Sequence, residues 1–380
     1  MNTQTKVPPI DRIDLEKIKK KKINLVVFGH GTVGSCLIDQ IISSQKEISR
    51  KRDLDVTIFG IANSTRILLE RDGMHANWKE IKAEKGEIYT IREVIDFTKK
   101  NNLENLIAVD NTSSNDLVAE YPLLVANGFH LISSNKIGNT LALESYQNLR
   151  ETLAFYKKEY LYETNVGAGL PLIDTIKLLH LSGENITRIK GVFSGSLSYI
   201  FNEFSEGNKE FSDVLREAIN RGYTEPDPRI DLSGNDVAKK LLILARELDL
   251  NNEIEDVSVQ NLIPKQLRNI SEKDFILQLE ELNVPYHIRR KNLLENQVLR
   301  YVGDLNGDLS KSDGAKLTVN LTTVNRNSSL GQLKGSDSIF EIYTESYGEN
   351  PIVIQGAGAG AEVTARGVFG DILRLSEKIN

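Results

Sequence analysis

Phe28-Gly29-His30-Gly31-Thr32-Val33-Gly34 sets three glycines at G-x-G-x-x-G spacing directly after Ile23 to Phe28, an apolar run of strand length. Ser35 to Ser44 follows with Leu37, Ile38, Ile41 and Ile42 at helical spacing, so the loop joins a strand to a helix. In that context Gly29 permits the tight turn, Gly31 lets backbone N–H groups approach a pyrophosphate, and Gly34 allows close helix–strand packing. The helix N-terminus, opened by Thr32 and Val33, favours the anionic phosphates. The loop therefore predicts a bound dinucleotide, against the plainer reading of a glycine turn with no ligand.

Strand and helix patterns keep alternating after the loop. Asp55 to Ile61, Leu106 to Asp110 and His130 to Ser133 are strand-like, and each leads into a polar turn. This predicts an α/β fold with a right-handed, mainly parallel, Rossmann-type sheet over about residues 23–162. An NAD site would place an acid at the end of the second strand, to bind the ribose 2′-hydroxyl. That position reads Ala62-Asn63-Ser64-Thr65-Arg66, where Ser64 and Arg66 could accept a 2′-phosphate instead. NADP is thereby favoured over NAD, although Arg66 could equally be an exposed helix residue. Asp110-Asn111-Thr112-Ser113-Ser114 and Ser133-Ser134-Asn135-Lys136 also follow strand ends, where open α/β sheets bind ligands. Thr112 and Ser113 could bond the nicotinamide and its ribose, and Lys136 would bring positive charge. Thr112, Ser113 and Ser133 are also good helix caps.

The rest of the chain reads as an α+β domain with a sheet, for which the resemblance given below implies a substrate and dimerisation role. Helices are expected over Leu170 to His180, Ser196 to Phe204, Phe211 to Arg221 and Asn235 to Leu248. Strands are expected over Ile186 to Phe193, Tyr286 to Arg289, Val298 to Val302, Ala315 to Val324 and Ile339 to Tyr343. Gln355 to Ile379 reads as a glycine-rich turn and a helix. The expected divisions are a tail over 1–22 with room for one short helix, a nucleotide domain over 23–162, a second domain over 163–350, catalytic by the resemblance given below, and a segment over 351–380 that the same resemblance returns to the nucleotide domain. Two domains suit 380 residues, which exceed a single ordinary core. The net charge of −6, with signs interspersed, offers no nucleic-acid surface, and Lys19 to Lys22 reads as a solvated lead-in. The lone cysteine, Cys36, excludes an internal disulfide and fits a reducing compartment, the cytoplasm being the simplest address. No apolar run approaches the ~20 residues that span a bilayer, so no membrane partner is expected.

Gly222 to Lys240 is the densest stretch in chemistry. Two prolines stiffen it, and four carboxylates (Glu225, Asp227, Asp231 and Asp236) fall within twelve residues. Asp236 and Lys240 stand four apart, on one helix face. A carbinol losing hydride must also lose its O–H proton, which a lysine can take when burial and a second cation such as Lys136 lower its pKa. The carboxylates suit a substrate bearing an ammonium group. A solvated salt bridge worth ~0.3–0.5 kcal/mol is the competing reading of Asp236–Lys240.

Several long segments resemble homoserine dehydrogenase. They are Tyr162 to Pro171 (YETNVGAGLP), Phe193 to Phe201 (FSGSLSYIF), Gly222 to Lys240, Gly356 to Gly360 (GAGAG) and Val363-Thr364-Ala365. The resemblance runs from about Ile23 to Leu375 and implies NAD(P)-linked interconversion of L-homoserine and L-aspartate 4-semialdehyde, in threonine, isoleucine and methionine biosynthesis. It further implies a homodimer, with Lys240 as principal acid/base beside Asp236 and Lys136. Gly222, Tyr223, Glu225, Asp231 and Ser196 would line the homoserine pocket. Glu163, with the carbonyls of Val166, Ala168 and Leu170, would hold a monovalent cation, sodium in most members. Gly360 would reach the nicotinamide. Ser196 stands where many members have Thr, and Ile137 where a second lysine is common. Ile61 to Ser64 and Asn77-Trp78 look most like the dehydrogenase half of bifunctional aspartokinase fusions, yet only a short tail precedes the nucleotide domain. With no ACT domain after Asn380, feedback by threonine through such a domain is not expected. An aspartate-semialdehyde dehydrogenase would need a cysteine nucleophile, whereas Cys36 reads as a small core residue. A catalytically silent NAD(P)-binding homologue would lack the acid–base residues, and all are present.

Overall fold

A computed structural model describes residues 20–379. The first sheet contains β1 (Lys21–Phe28), β2 (Leu54–Ala62), β3 (Arg66–Leu69), β4 (Glu87–Ile88), β5 (Leu106–Asp110), β6 (His130–Ser133) and β7 (Tyr160–Leu161). Their order is β4-β3-β2-β1-β5-β6-β7, parallel from β2 to β7, with β3 and β4 antiparallel at one edge. β1 is buried from Ile23 to Phe28, as expected of a parallel strand covered on both faces. The chain leaves β1 for β2 on one side and later returns to β5 on the other, so a crevice opens where β1 ends, at Gly29.

The second sheet contains β8 (Ile186–Val192), β9 (Val257–Val259), β10 (Gln297–Gly307), β11 (Ala315–Asn325), β12 (Asp337–Thr344) and β13 (Ile352–Ala357), in the order β13-β12-β8-β10-β11-β9. It is antiparallel except for the β9–β11 pair. Helices Gly195–Glu206 and Asn235–Arg246 bury Leu197, Phe201, Leu241 and Leu244 in one core with Tyr301, Leu305 and Val319. The expected elements mostly recur within a few residues. None of the described helices is long and apolar enough to cross a membrane.

Four expectations change. Tyr286 to Arg289 belongs to a helix, Asn283–Lys291, whose Pro285 sits in the first turn, where no N–H is needed. Tyr286 is buried there, its ring stacked on Phe211 at 3.7 Å between centroids. The segment before Gly358 is an edge strand, β13, so the second sheet continues to Ala357. Arg66 opens a short strand, not a helix. Lys21 is no solvated lead-in: it starts β1 and donates to the carbonyls of Ser376 (3.1 Å) and Ile379 (2.5 Å). A lysine on the last carbonyls of a helix satisfies acceptors left without intrahelical donors. Lys19 and the short tail helix fall outside the described residues.

The helix Ala361–Lys378 packs on the first sheet's side of the molecule. It packs Val368, Ile372 and Leu375 into one core with Leu37, Ile38 and Ile41 of the helix Thr32–Arg52. Gln40 donates to Glu362 O at 3.2 Å, and Arg52 pairs with Glu377 at 2.8 Å.

Candidate active site

The glycine loop has the geometry its sequence implies. Gly29 lies at φ +84°, and a Cβ on it would stand 2.8 Å from Asn111 O. A Cβ on Gly34 would stand 1.9 Å from Gly29 O, so strand and helix approach as closely as backbone permits. A Cβ on Gly31 would meet nothing within 4 Å: the space before it is open. The helix beginning at Thr32 has no side-chain cap and no acid in its first turn, which leaves N–H groups for an anion. A crevice of about 830 Å³ runs past this loop and brings together Gly29, Gly31, Asn63, Ser64, Thr112 and Ser113. The helix after β5 is capped by Ser114, whose Oγ accepts the Leu117 N–H (3.2 Å), so neither Thr112 nor Ser113 serves as that cap. Ser133 is not a cap either: it is buried and accepts hydrogen bonds from Tyr121 Oη (3.2 Å) and the Asn135 N–H (2.9 Å).

Beyond Ser64 lies a group of cations. Arg66 donates to Gly86 O at 2.8 Å, and Lys82 is buried on the helix Trp78–Lys85. Burial and then Arg66 push the Lys82 ammonium pKa down; burial and then Lys82 do the same to the His30 imidazolium. Among the described residues none of the three pairs with a carboxylate.

The acid–base group is assembled across the two domains. Gly234, at φ +78°, starts the helix Asn235–Arg246, and a Cβ there would lie 2.0 Å from Tyr301 Oη. Glycine thus lets the helix seat against β10. With Val237, Leu241 and Leu244 in the core, Asp236 and Lys240 project into the cleft. Lys240 Nζ lies 2.8 Å from Asp236 and donates to Phe193 O at 2.9 Å. Its side chain is 13% exposed against 44% for Asp236, so the lysine is the shielded member of the pair. From the other domain, Lys136 Nζ reaches the second oxygen of Asp236 at 3.3 Å. Burial alone would raise the Asp236 pKa, but Lys240 and Lys136 together hold it well below the usual carboxylate range.

Next to this group, Ser196 Oγ donates to Asp231 at 2.6 Å, and the other oxygen of Asp231 accepts the Glu225 N–H at 2.8 Å. Burial pushes the Asp231 carboxyl up, with the Ser196 bond opposing. Asp227 is occupied otherwise: it grips Arg229 with both oxygens and braces the loop. Gly222, at φ +68°, follows the end of the helix Phe211–Asn220. Tyr223 is 41% exposed, with its ring against Tyr199 at 4.8 Å.

The segment expected to hold a cation is an irregular turn, in which the Leu170 carbonyl accepts the Leu172 N–H at 2.9 Å. Gly167 and Ala168 are consecutive left-handed residues, at φ +83° and +54°. Glu163 is buried and accepts the N–H groups of Ile173 (2.7 Å) and Asp174 (3.0 Å), while its own N–H donates to Asp371 at 3.0 Å. Burial and then Asp371 push the Glu163 carboxyl up to about 7; burial pushes Asp371 up to about 7. Arg374 pairs with Asp371 (2.9 Å) and with Asp174. Among the described residues no cluster of three His, Cys, Asp or Glu side chains suits a metal. Both oxygens of Glu163 are already engaged by backbone N–H groups.

Residues 171–373 match the family model described as homoserine dehydrogenase, and residues 29–163 the one described as homoserine dehydrogenase, NAD binding domain. The chain belongs to the homoserine dehydrogenase family. The bifunctional aspartokinase/homoserine dehydrogenase of Buchnera aphidicola is 39% identical over 93% of this chain. The match covers 43% of that relative, so the chain spans about two fifths of its length. A crystal structure of a Candida auris protein, described as of unknown function, is 33% identical, with TM-score 0.84 over 94% of this chain and 99% of that one. A hyperthermophilic archaeal homoserine dehydrogenase mutant in complex with NADPH shares the fold, at 24% identity and TM-score 0.68 over 94% and 99% of the two chains.

Three features here escaped the sequence. Lys82 sits in a charged run, Lys79-Glu80-Ile81-Lys82, where nothing marks the buried member. Phe193 contributes its backbone carbonyl, which no residue type announces. Asp371 was detectable in principle, as a lone acid on the apolar side of the last helix.

Proposed function

We propose that the chain interconverts L-homoserine and L-aspartate 4-semialdehyde, with Lys240 exchanging the carbinol proton. The observation that carries this is the assembly of Lys240, Asp236 and Lys136 from two domains, with Lys240 largely shielded from water. A bound nicotinamide supplies the hydride acceptor or donor at C4. In oxidation, Lys240 takes the hydroxyl proton as hydride leaves the carbinol carbon; in reduction, it returns that proton to the carbonyl oxygen. Lys136 places a second positive charge beside that oxygen, and Asp236 orients both lysines. Asp231 and Glu225 bind the substrate ammonium, Ser196 orients Asp231, and Gly222 and Tyr223 shape the loop. The test is reduction of L-aspartate 4-semialdehyde with NADPH and NADH in parallel; no turnover with either would leave a silent nucleotide-binding homologue.

The preferred nucleotide in this reading is NADP, with NAD as the weaker ligand. Thr32, Val33, Thr112, Ser113 and Gly360 lie along the dinucleotide, while Asn63, Ser64, Arg66 and Lys82 face the 2′-phosphate. Arg66→Ala is expected to raise KM for NADPH by about 10-fold, in line with one charge-assisted hydrogen bond, and to leave KM for NADH nearly unchanged. Equal losses with both nucleotides would remove the preference.

The reading includes sodium held by Glu163 and the carbonyls of Val166, Ala168 and Leu170. The surplus of buried carboxylate at Glu163 and Asp371 supports it. Sodium chloride should raise the melting temperature above that in choline chloride of equal ionic strength, because a ligand of the folded state stabilises it. Glu163→Gln should abolish the difference. A homodimer and a cytoplasmic address complete the proposal, the latter in keeping with the single cysteine.

A further inference from the structure

The turn that carries Lys136 is gripped at three points by the other domain. Lys136 Nζ meets Asp236 at 3.3 Å. Three residues on, the Asn139 carbonyl accepts Arg246 Nη1 at 3.0 Å. At the start of the next helix, the Leu143 N–H donates to Glu253 Oε1 at 2.7 Å, and that helix has no side-chain cap of its own. Arg246 and Glu253 pair with each other at 3.0 Å. Asp236 and Arg246 lie near opposite ends of one helix, Asn235–Arg246, ~15 Å apart at the usual rise.

The turn is tied down by its nearer neighbours as well. Asn139 is buried, accepts Arg150 on its side-chain oxygen (2.6 Å) and donates to Asn165 (2.8 Å). Its N–H closes the turn on Lys136 O at 3.0 Å. Arg246 is buried with its Nε unpartnered, an incompletely satisfied charge that a packed leucine would avoid.

We infer that Arg246 and Glu253 are positioning residues that set Lys136 opposite Asp236. Neither lines the crevice at the glycine loop, and they act through residues 136–143 of the nucleotide domain. This rests on Lys136 belonging to the active site, as proposed above.

The experiment is a double-mutant cycle between Arg246→Met and Lys136→Ala on the full chain, read as kcat and as KM for NADPH. Arg246→Met alone should lower kcat by ~10- to 100-fold, the scale of a misplaced catalytic group, and leave KM for NADPH within about 2-fold. In the Lys136→Ala background the same change should cost less than about 2-fold, because the lysine it positions is gone. Arg246→Lys, which keeps the charge near Glu253, should recover part of the loss. Glu253→Gln provides a second route should Arg246→Met fold poorly, with the same dependence on Lys136. Full additivity in both cycles would overturn the inference and leave the site standing. A neutral Lys136→Ala would remove both the inference and the role proposed for that lysine.

Discussion

Replacing Lys240 with alanine is expected to lower kcat for aspartate-semialdehyde reduction by about 10³-fold, within the range of 10²–10⁴ for a positioned general acid–base. The ammonium of Lys240 lies in hydrogen-bond reach of Asp236 and the Phe193 carbonyl and is the most shielded cation of the cleft group. Its removal also leaves Asp236 with Lys136 as its remaining cation there. NADPH affinity, measured by fluorescence titration, should change little, because Lys240 comes from the other domain. A variant that retained near-wild-type turnover would place the proton exchange elsewhere. Added alkylamines offer an independent reading: partial rescue of Lys240→Ala by a small amine would mark the missing group as a proton carrier.

Gly34→Ala should nearly abolish nucleotide binding while leaving the acid–base group intact. The new Cβ would meet a backbone carbonyl, Gly29 O, at 1.9 Å, with Asn111 Cβ behind it at 3.6 Å. No side-chain rotation relieves such an overlap, so the helix must back away from the loop or the loop must swing out. Either movement displaces the N–H groups that face the pyrophosphate. We expect the NADPH dissociation constant to rise by roughly 100-fold, with a stability loss of about 1–3 kcal/mol typical of overpacking. Gly31→Ala is the matched control: its Cβ enters open space, so stability should hold while binding falls. Equal affinity in all three proteins would show that the loop does not carry the nucleotide.

Legibility followed the range of the interactions. The glycine loop is local, strand to turn to helix within about a dozen residues, so spacing alone announced its geometry. Asp236 and Lys240 are one helical turn apart and could be paired on paper. Whether they formed a solvated bridge or a cleft group depended on Lys136, one hundred positions earlier, and on a carbonyl from the loop after β8. The helix Asn283–Lys291 was misread as a strand because Tyr-His-Ile-Arg alternates in polarity over too few residues for its period to show. Its true register is set by Tyr286 stacking on Phe211, a contact across seventy-five residues. Arg66 was left between helix and ligand because the short antiparallel edge of the first sheet depends on pairing with β2 and β4.

The last helix has a consequence for how the protein is made. The face of the first sheet beneath Leu37 and Ile41 is completed by Val368, Ile372 and Leu375, and Lys21 bonds the carbonyl of Ile379. Domains generally fold as units from the N-terminus during synthesis. Here the nucleotide domain, although encoded before the second sheet, cannot close its core until Ala361–Lys378 has emerged from the ribosome. A nascent chain paused in the second sheet would carry an open apolar seam over Leu37, Ile38 and Ile41, so chaperone capture should be strongest at those lengths and fall once Ala361–Lys378 can pack there.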